Sequence, residues 1–366
     1  MGNDGKAAGR RLMSLSGRHP LLAATLLILV AGSAGILCAQ EGAPLVDLSL
    51  GPLQQRNLGD YPGHPGHVHH SRDATFLRSR LSYTIRYCAC VDKSHGGKVA
   101  PLEGYVGMPQ PSACNWYHSG FLFIVVNGKD IGATPLSSMI VAERGSRAIL
   151  DMVWHAEPAT VRARFLALPN RDNLHCEIAL DPKEEIKSLA VRLTCYPSYF
   201  TAAYHRDGAR RIRTPKMVIE QGKTLTLPAR ENWWGVYYDE VFDVAKGEGE
   251  GPCALLLLPE QAAEVAFSPG SYAVGTQIRY PPEVRRIRMA FWDLREKTNA
   301  EAIARLRGDA EAVRAELASL DFTPTAVKSF DIAGLRAEVQ RAMSSEAVRA
   351  SLGQKTAEVR AWLDQY

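Results

Sequence analysis

The chain has 366 residues, of which 46% are hydrophobic and 22% charged, and it carries a formal net charge of +4 at pH 7. So mild a cationic excess over this length gives no warrant for nucleic-acid binding. The composition is that of a globular protein long enough to bury a sizeable core.

Residues 1–39 open with Lys6, Arg10, Arg11 and Arg18 against the single acid Asp4, then run without charge from Leu21 to Ala39. This is the outline of a signal sequence. Leu37-Cys38-Ala39 offers a cleavage site that leaves Gln40 at the mature N-terminus. The alternative is an uncleaved anchor, because the apolar run is nearly long enough to span a bilayer with its basic end in the cytoplasm. Both readings export the folded part to the periplasm, the cell surface or the medium, and membrane contact is expected only through such an anchor. Without Cys38, six cysteines remain: Cys88, Cys90, Cys114, Cys176, Cys195 and Cys253. Export permits disulfides among them, and buried thiols acting as small hydrophobes are the equal alternative.

Residues 40–73 are rich in Gly, Pro and His and read as a linker or an arm lying on the main domain. They hold His64, His67, His69 and His70. Imidazoles suit zinc, copper or nickel, and His67 and His69 fall on one side of an extended chain. A transition-metal ion on this arm is therefore the only cofactor suggested; exposed histidines without a ligand are the other reading.

From residue 74 to 296 short runs of β-branched and aromatic residues alternate with turn clusters, which predicts many strands and not βαβ units. A run over 121–126 breaks at Asn127-Gly128, a hairpin dipeptide. Runs over 148–155, 160–168, 174–180 and 186–195 predict a four-strand meander. Further strands are expected over 217–220, 223–227, 235–242, 253–258, 264–267, 271–280 and 285–292. The fold class is a large antiparallel β-sandwich. Residues 297–366 turn helical: Ile303, Leu306, Val313, Leu317 and Leu320 form one apolar stripe behind a Thr298/Glu301 capping box. Two more helices are expected over 332–343 and on the stripe Val348, Leu352, Val359 and Leu363, giving a small helical appendage.

No Walker loop, G-x-S-x-G elbow or H-E-x-x-H helix is present in the sequence. Two strands repeat a pattern, His155-Ala156-Glu157 and His175-Cys176-Glu177, that sets an imidazole and a carboxylate on one strand face. Such pairs on neighbouring strands could do general acid–base work, with His118 beside Asn115, Trp116 and Tyr117 as an additional member. The alternative is a hydrogen-bonded polar sheet face. Arg162 and Arg164, and Arg286 and Arg288 with Trp292, interleave cations with apolar residues. With Trp233, Trp234, Tyr237 and Tyr238 they suit a sugar bearing a carboxylate or sulfate, the guanidinium forking the anion while an indole covers the ring. Core packing and solvation are the plainer reading. The basic run Arg206, Arg210, Arg211, Arg213 and Lys216 is expected in a long loop that could close over an anion.

The passage Ala163-Arg-Phe-Leu-Ala-Leu-Pro-Asn, with Leu174-His-Cys-Glu-Ile-Ala-Leu-Asp-Pro and Ile186-Lys-Ser-Leu-Ala-Val-Arg-Leu-Thr-Cys-Tyr-Pro, resembles the large sandwich of the galactose-mutarotase-like superfamily. That resemblance implies a sugar-associated protein, and for an enzyme it implies a His acid and a Glu base, with His155, His175 and Glu177 as the positions to test. Three readings follow: a carbohydrate-binding sandwich, a sugar-acting enzyme with a His/Glu pair, and an assembly module without a small ligand. An aromatic platform beside an arginine, with no acid–base pair, would favour the first.

Overall fold

The computed structural model describes residues 45–57, 60–61, 64–65, 68–77, 82–92, 98–109, 116–197, 206–328 and 337. The expected signal segment, Cys114, His205 and, apart from residue 337, the second and third helices lie outside the described residues.

Two antiparallel sheets, one of eleven and one of nine strands, hold most of the described chain. The nine-stranded sheet runs, in spatial order, Ser138–Glu143, Ala148–His155, Ala159–Ala167, Asn173–Pro182, Arg286–Asp293, Cys253–Leu257, Trp234–Asp239, Arg210–Arg213 and Val218–Glu220. The main path of the other sheet runs Asp47–Leu50, Val68–Leu77, Ser82–Asp92, Lys98–Gly107, Leu122–Val126, Leu189–Cys195, Val274–Tyr280, Glu264–Pro269 and Leu225–Pro228. Period-two alternation decides which face of each strand is covered. Val191, Leu193 and Cys195 are buried while Arg192 is exposed, and Val274, Thr276 and Ile278 are buried while Arg279 is exposed. Large side chains close the space between the sheets. Trp116 is fully buried, packs edge-on against Phe121, Phe291 and Tyr237, and donates its indole N–H to the carbonyl of Trp292 at 2.9 Å. Trp116 bridges to Cys195 of the eleven-stranded sheet, so its bond ties that sheet to a strand of the other, and the aromatic contacts and a satisfied polar atom reinforce the same packing.

Asn127-Gly128 makes the expected hairpin: both residues have positive φ, 51° and 77°, and Val126 pairs with Lys129. Three members of the predicted meander pair consecutively, but the fourth does not. Leu189–Cys195 crosses to the other sheet and lies between Leu122–Val126 and Val274–Tyr280. Alternation fixes a strand's faces but carries no information on its neighbour, and the crossing wraps one sheet over the other. The expected arm also has sheet structure. Asp47–Leu50 and Gln54–Asn57 both pair with Val68–Leu77, where Leu48, Ala74 and Phe76 are buried, so this polar segment extends the eleven-stranded sheet.

Helix Asn299–Ser319 starts at the expected capping box, with Thr298 and Glu301 bonding each other's backbone N–H. Of the predicted stripe Leu306, Val313 and Leu317 are buried, joined by Ala302 and Ala310, while Ile303 and Leu320 are half-buried; the helix lies on Trp234–Asp239, Cys253–Leu257 and Arg286–Asp293. No helix among the described residues is long and apolar enough to cross a membrane.

Candidate functional site

The arginines read from the sequence as a ligand groove stand in a ladder across the nine-stranded sheet. Register places Asp151 opposite Arg164, Arg164 opposite Glu177 and Glu177 opposite Arg288, so charge alternates over four strands. Asp151 takes Arg164 at 3.0 Å and Arg162 at 3.3 Å, and Glu177 takes Arg288 at 2.9 Å. Burial pushes the Asp151 carboxyl up against the pull of the two arginines. Arg288 then reaches the C-terminal end of the helix, donating to the carbonyls of Leu317 at 3.1 Å and Ala318 at 2.7 Å, with its guanidinium 5.3 Å from the Phe322 ring. A cation at a helix C-terminus satisfies carbonyls that the helix itself leaves open.

His175 belongs to the same seam. It is fully buried, its Nε2 lying 2.9 Å from the Asn173 amide and 3.5 Å from Glu316 on the helix. His155 is exposed and 3.2 Å from the Thr160 hydroxyl, and Glu157 is exposed and paired with Lys129. The register sets His175 opposite Leu166 and Leu166 opposite Ile149, six residues along the strand from His155. Six residues of strand is roughly 20 Å. His155 and His175 therefore do not meet, and Glu177 is taken up by Arg288. Arg286 is exposed, Trp233, Trp234 and Trp292 are buried, and Trp233 stacks with Arg314 of the helix at 5.5 Å.

The five described cysteines are buried thiols. Cys195 and Cys253 meet between the sheets, and burial raises the Cys253 and Cys176 thiols well above their ordinary range. On the histidine arm, His69 Nδ1 lies 4.0 Å from Cys88 Sγ, and His70, as the next residue of the strand, points to the other face. The side chains of His64 and His67 lie outside the described residues, and no group of three metal-ligating side chains occurs among those described. The basic run is partly strand: Arg211 pairs with Glu220 and Glu240, each at 3.1 Å, and Arg206 pairs with Glu248.

The open surface is the outward face of the eleven-stranded sheet. Two rows of side chains cross it in register. One runs Phe123, Arg192, Gln277 and Ala266, and the other Thr194, Gly275 and Ser268. With Thr224, whose hydroxyl is 2.8 Å from that of Ser268, they line a groove of about 260 Å³. Arg192 lies 5.0 Å from the Phe123 ring and 3.4 Å from Asp130, remaining 48% exposed. Asp130 is tied down by the Gly132 N–H at 3.0 Å, and burial raises its carboxyl. Beyond Thr194, tyrosines mark one end: Tyr196 meets Tyr117 at 4.6 Å and Tyr272 at 5.1 Å, centroid to centroid, and Tyr272 is 56% exposed. His118, a residue singled out in the sequence, stands here, exposed and 5.0 Å from Tyr117. Partial burial and nearby Arg86 lower its pKa and favour the neutral ring. Behind it, Arg86 holds Asp73 through two bonds of 2.7 Å.

The lining offers a guanidinium, a carboxamide, hydroxyls and an aromatic ring in one plane. It can donate and accept hydrogen bonds and cover an apolar ring face. None of the groove's lining residues is a carboxylate or imidazole. Sequence inspection missed Thr194, Gln277 and Ser268 because they are ordinary outward residues whose partners are distant in the chain. Arg192, an outward cation in a predicted strand, was the available signal.

No family model matches the chain, and no curated protein does. Among solved structures, it is similar to the galactosidase domain of alpha-galactosidase-sucrose kinase AgaSK, with 9% identity over 60% of this chain and 40% of that one and a TM-score of 0.36. It is similar to a Klebsiella pneumoniae protein assigned as an aldose 1-epimerase, with 8% identity over 73% of this chain and 95% of that one and a TM-score of 0.36. For the alpha-N-acetylgalactosaminidase NagBb of Bifidobacterium bifidum the figures are 11%, 71%, 39% and 0.38. The chain thus spans about two-fifths of the first and third of these proteins. These likenesses accompany the galactose-mutarotase-like resemblance, but at such TM-scores they carry no chemistry over to this chain.

Proposed function

We propose that this is an exported carbohydrate-binding protein that takes an anionic glycan on the outward face of its eleven-stranded sheet. The observation that carries the reading is Arg192 lying 5.0 Å from Phe123 beside Gln277, Thr194 and Ser268. A ring apolar on one face and hydroxylated at its rim presents the groups this lining would match, and a carboxylate or sulfate on it would be taken by the guanidinium fork. A groove of about 260 Å³ falls just below the small-molecule sites that run from roughly 300 Å³ upward, so no more than one sugar unit of a longer chain would sit in it. An acid–base enzyme is the weaker reading, since His155 and His175 stand far apart and the groove lining has no such pair.

A glycan array containing neutral, uronic and sulfated polysaccharides tests the proposal. Retention of the anionic members that weakens as salt rises is the expected result, and a folded sample that retains no sugar would refute it.

A further inference from the structure

Arg210 begins the strand Arg210–Arg213 and is fully buried together with Ile212, two residues on. It sits inside the sandwich. Its neighbours are Cys195, Tyr196, Asp239 and Cys253, with the Tyr196 ring centroid 5.8 Å from the guanidinium carbon. Nη1 donates to the Ser271 carbonyl at 3.0 Å. Nε and Nη2 have no hydrogen-bond partner among the described residues. Asp239 does not fill the gap: its Oδ1 accepts from the backbone N–H groups of Ala209, Val241 and Phe242, and its Oδ2 makes no hydrogen bond among the described residues.

Two features of this arrangement point to a ligand. Arginine stays charged in proteins, so burial cannot be relieved by losing a proton, and although the Asp239 carboxylate lies near enough to favour the charge, two buried N–H groups without acceptors remain costly. The unpartnered atoms are also not a random pair. Nε and Nη2 share one edge of the guanidinium, and their parallel N–H bonds form the fork that grips two oxygens of one planar anion. The Cys253 thiol, which burial holds well above its ordinary range, adds no second anion beside Asp239.

We propose that the Nε/Nη2 edge of Arg210 is a receptor for a small carboxylate, distinct from the groove on the outward sheet face and independent of the glycan reading. Two sources share this chemistry, a free short-chain carboxylic acid and the carboxylate of a uronic acid. Tyr196 and the Ser271 carbonyl link the receptor to the tyrosine end of the groove, because Tyr196 contacts Tyr117 and Tyr272 on one side and Arg210 on the other.

The test is thermal unfolding of the full chain with sodium acetate, sodium glucuronate or sodium chloride at matched ionic strength, for the wild type and Arg210→Gln. Acetate should raise the midpoint of the wild type saturably and above chloride, and the substitution should abolish the difference. Stabilisation by acetate identifies a receptor for free carboxylates, and stabilisation by glucuronate alone identifies one for sugar acids. Equal effects of all three salts on the wild type would overturn the proposal. Acetate stabilisation that persists in Arg210→Gln would overturn it as well. Should Arg210→Gln fail to fold, saturable broadening of the ¹³C resonance of acetate or of glucuronate by the wild type, not competed by chloride, is the expected result. Its absence would refute the receptor.

Discussion

Arg288 and Glu177, 111 residues apart in the chain, meet at 2.9 Å on adjacent strands, and the same guanidinium caps the carbonyls of Leu317 and Ala318. One side chain thus ends a four-residue charge ladder and seats a helix. Arg288, one of the cations that look like a ligand groove in the sequence, ties the sheet to the end of that helix.

Replacing Arg288 with Ala should therefore be costly, because it leaves the Glu177 carboxylate buried at 3% exposure without its cation. Breaking one side of such a pair costs about 3–5 kcal/mol. Chemical denaturation measures it, and a loss below about 1 kcal/mol would show that the ladder contributes little.

Glu316 gives the helix seam a pH signature. The His175 hydrogen bond first, then Arg171, holds its carboxyl down at about 2, against an ordinary 4.5. A carboxyl depressed in the folded state stabilises fully above its unfolded pKa and loses that contribution as pH falls through the folded value. The seam should weaken between about pH 4.5 and 2. Glu316→Gln should flatten that part of the stability profile and cost about 1 kcal/mol at neutral pH once solvent screening is allowed for. An unchanged acid limb in the variant would show that Glu316 is not its source.

Thr298→Ala removes the side-chain oxygen that takes the Glu301 N–H and should destabilise the fold by about 1 kcal/mol. Thr298→Ser should restore most of it. Equal stability of the two variants would mean that this helix end frays without consequence.

Gly275 lies on the floor of the groove, and a β-carbon there would meet only the Ser268 carbonyl, at 4.0 Å. Gly275→Val should accordingly fold while filling the space a sugar would use. Unchanged thermal stability with at least tenfold weaker glycan retention is the expected pair of results, and undiminished retention would move the site elsewhere.

The two-sheet architecture could be read from alternation in the sequence because each strand records its own buried face: Val191, Leu193 and Cys195 against Arg192 is one such record. The Thr298/Glu301 box and the Asn127-Gly128 turn are equally local and equally clear. What alternation does not encode is the partner. Nothing near Leu189–Cys195 signals that it leaves the meander, and nothing near Arg288 announces Glu177 or the helix end. The candidate groove was obscure for the same reason, since Arg192 and Gln277 become neighbours only through strand pairing. His118 was accessible to inspection because its aromatic neighbours are adjacent in sequence.

The most direct test is titration calorimetry of a uronic-acid oligosaccharide into the full chain and into Arg192→Ala, each at low and high salt. Saturable binding that falls at least tenfold in the variant and weakens with salt in the wild type is the predicted result. Binding that is absent, or that Arg192→Ala leaves unchanged, would contradict a glycan site on this face.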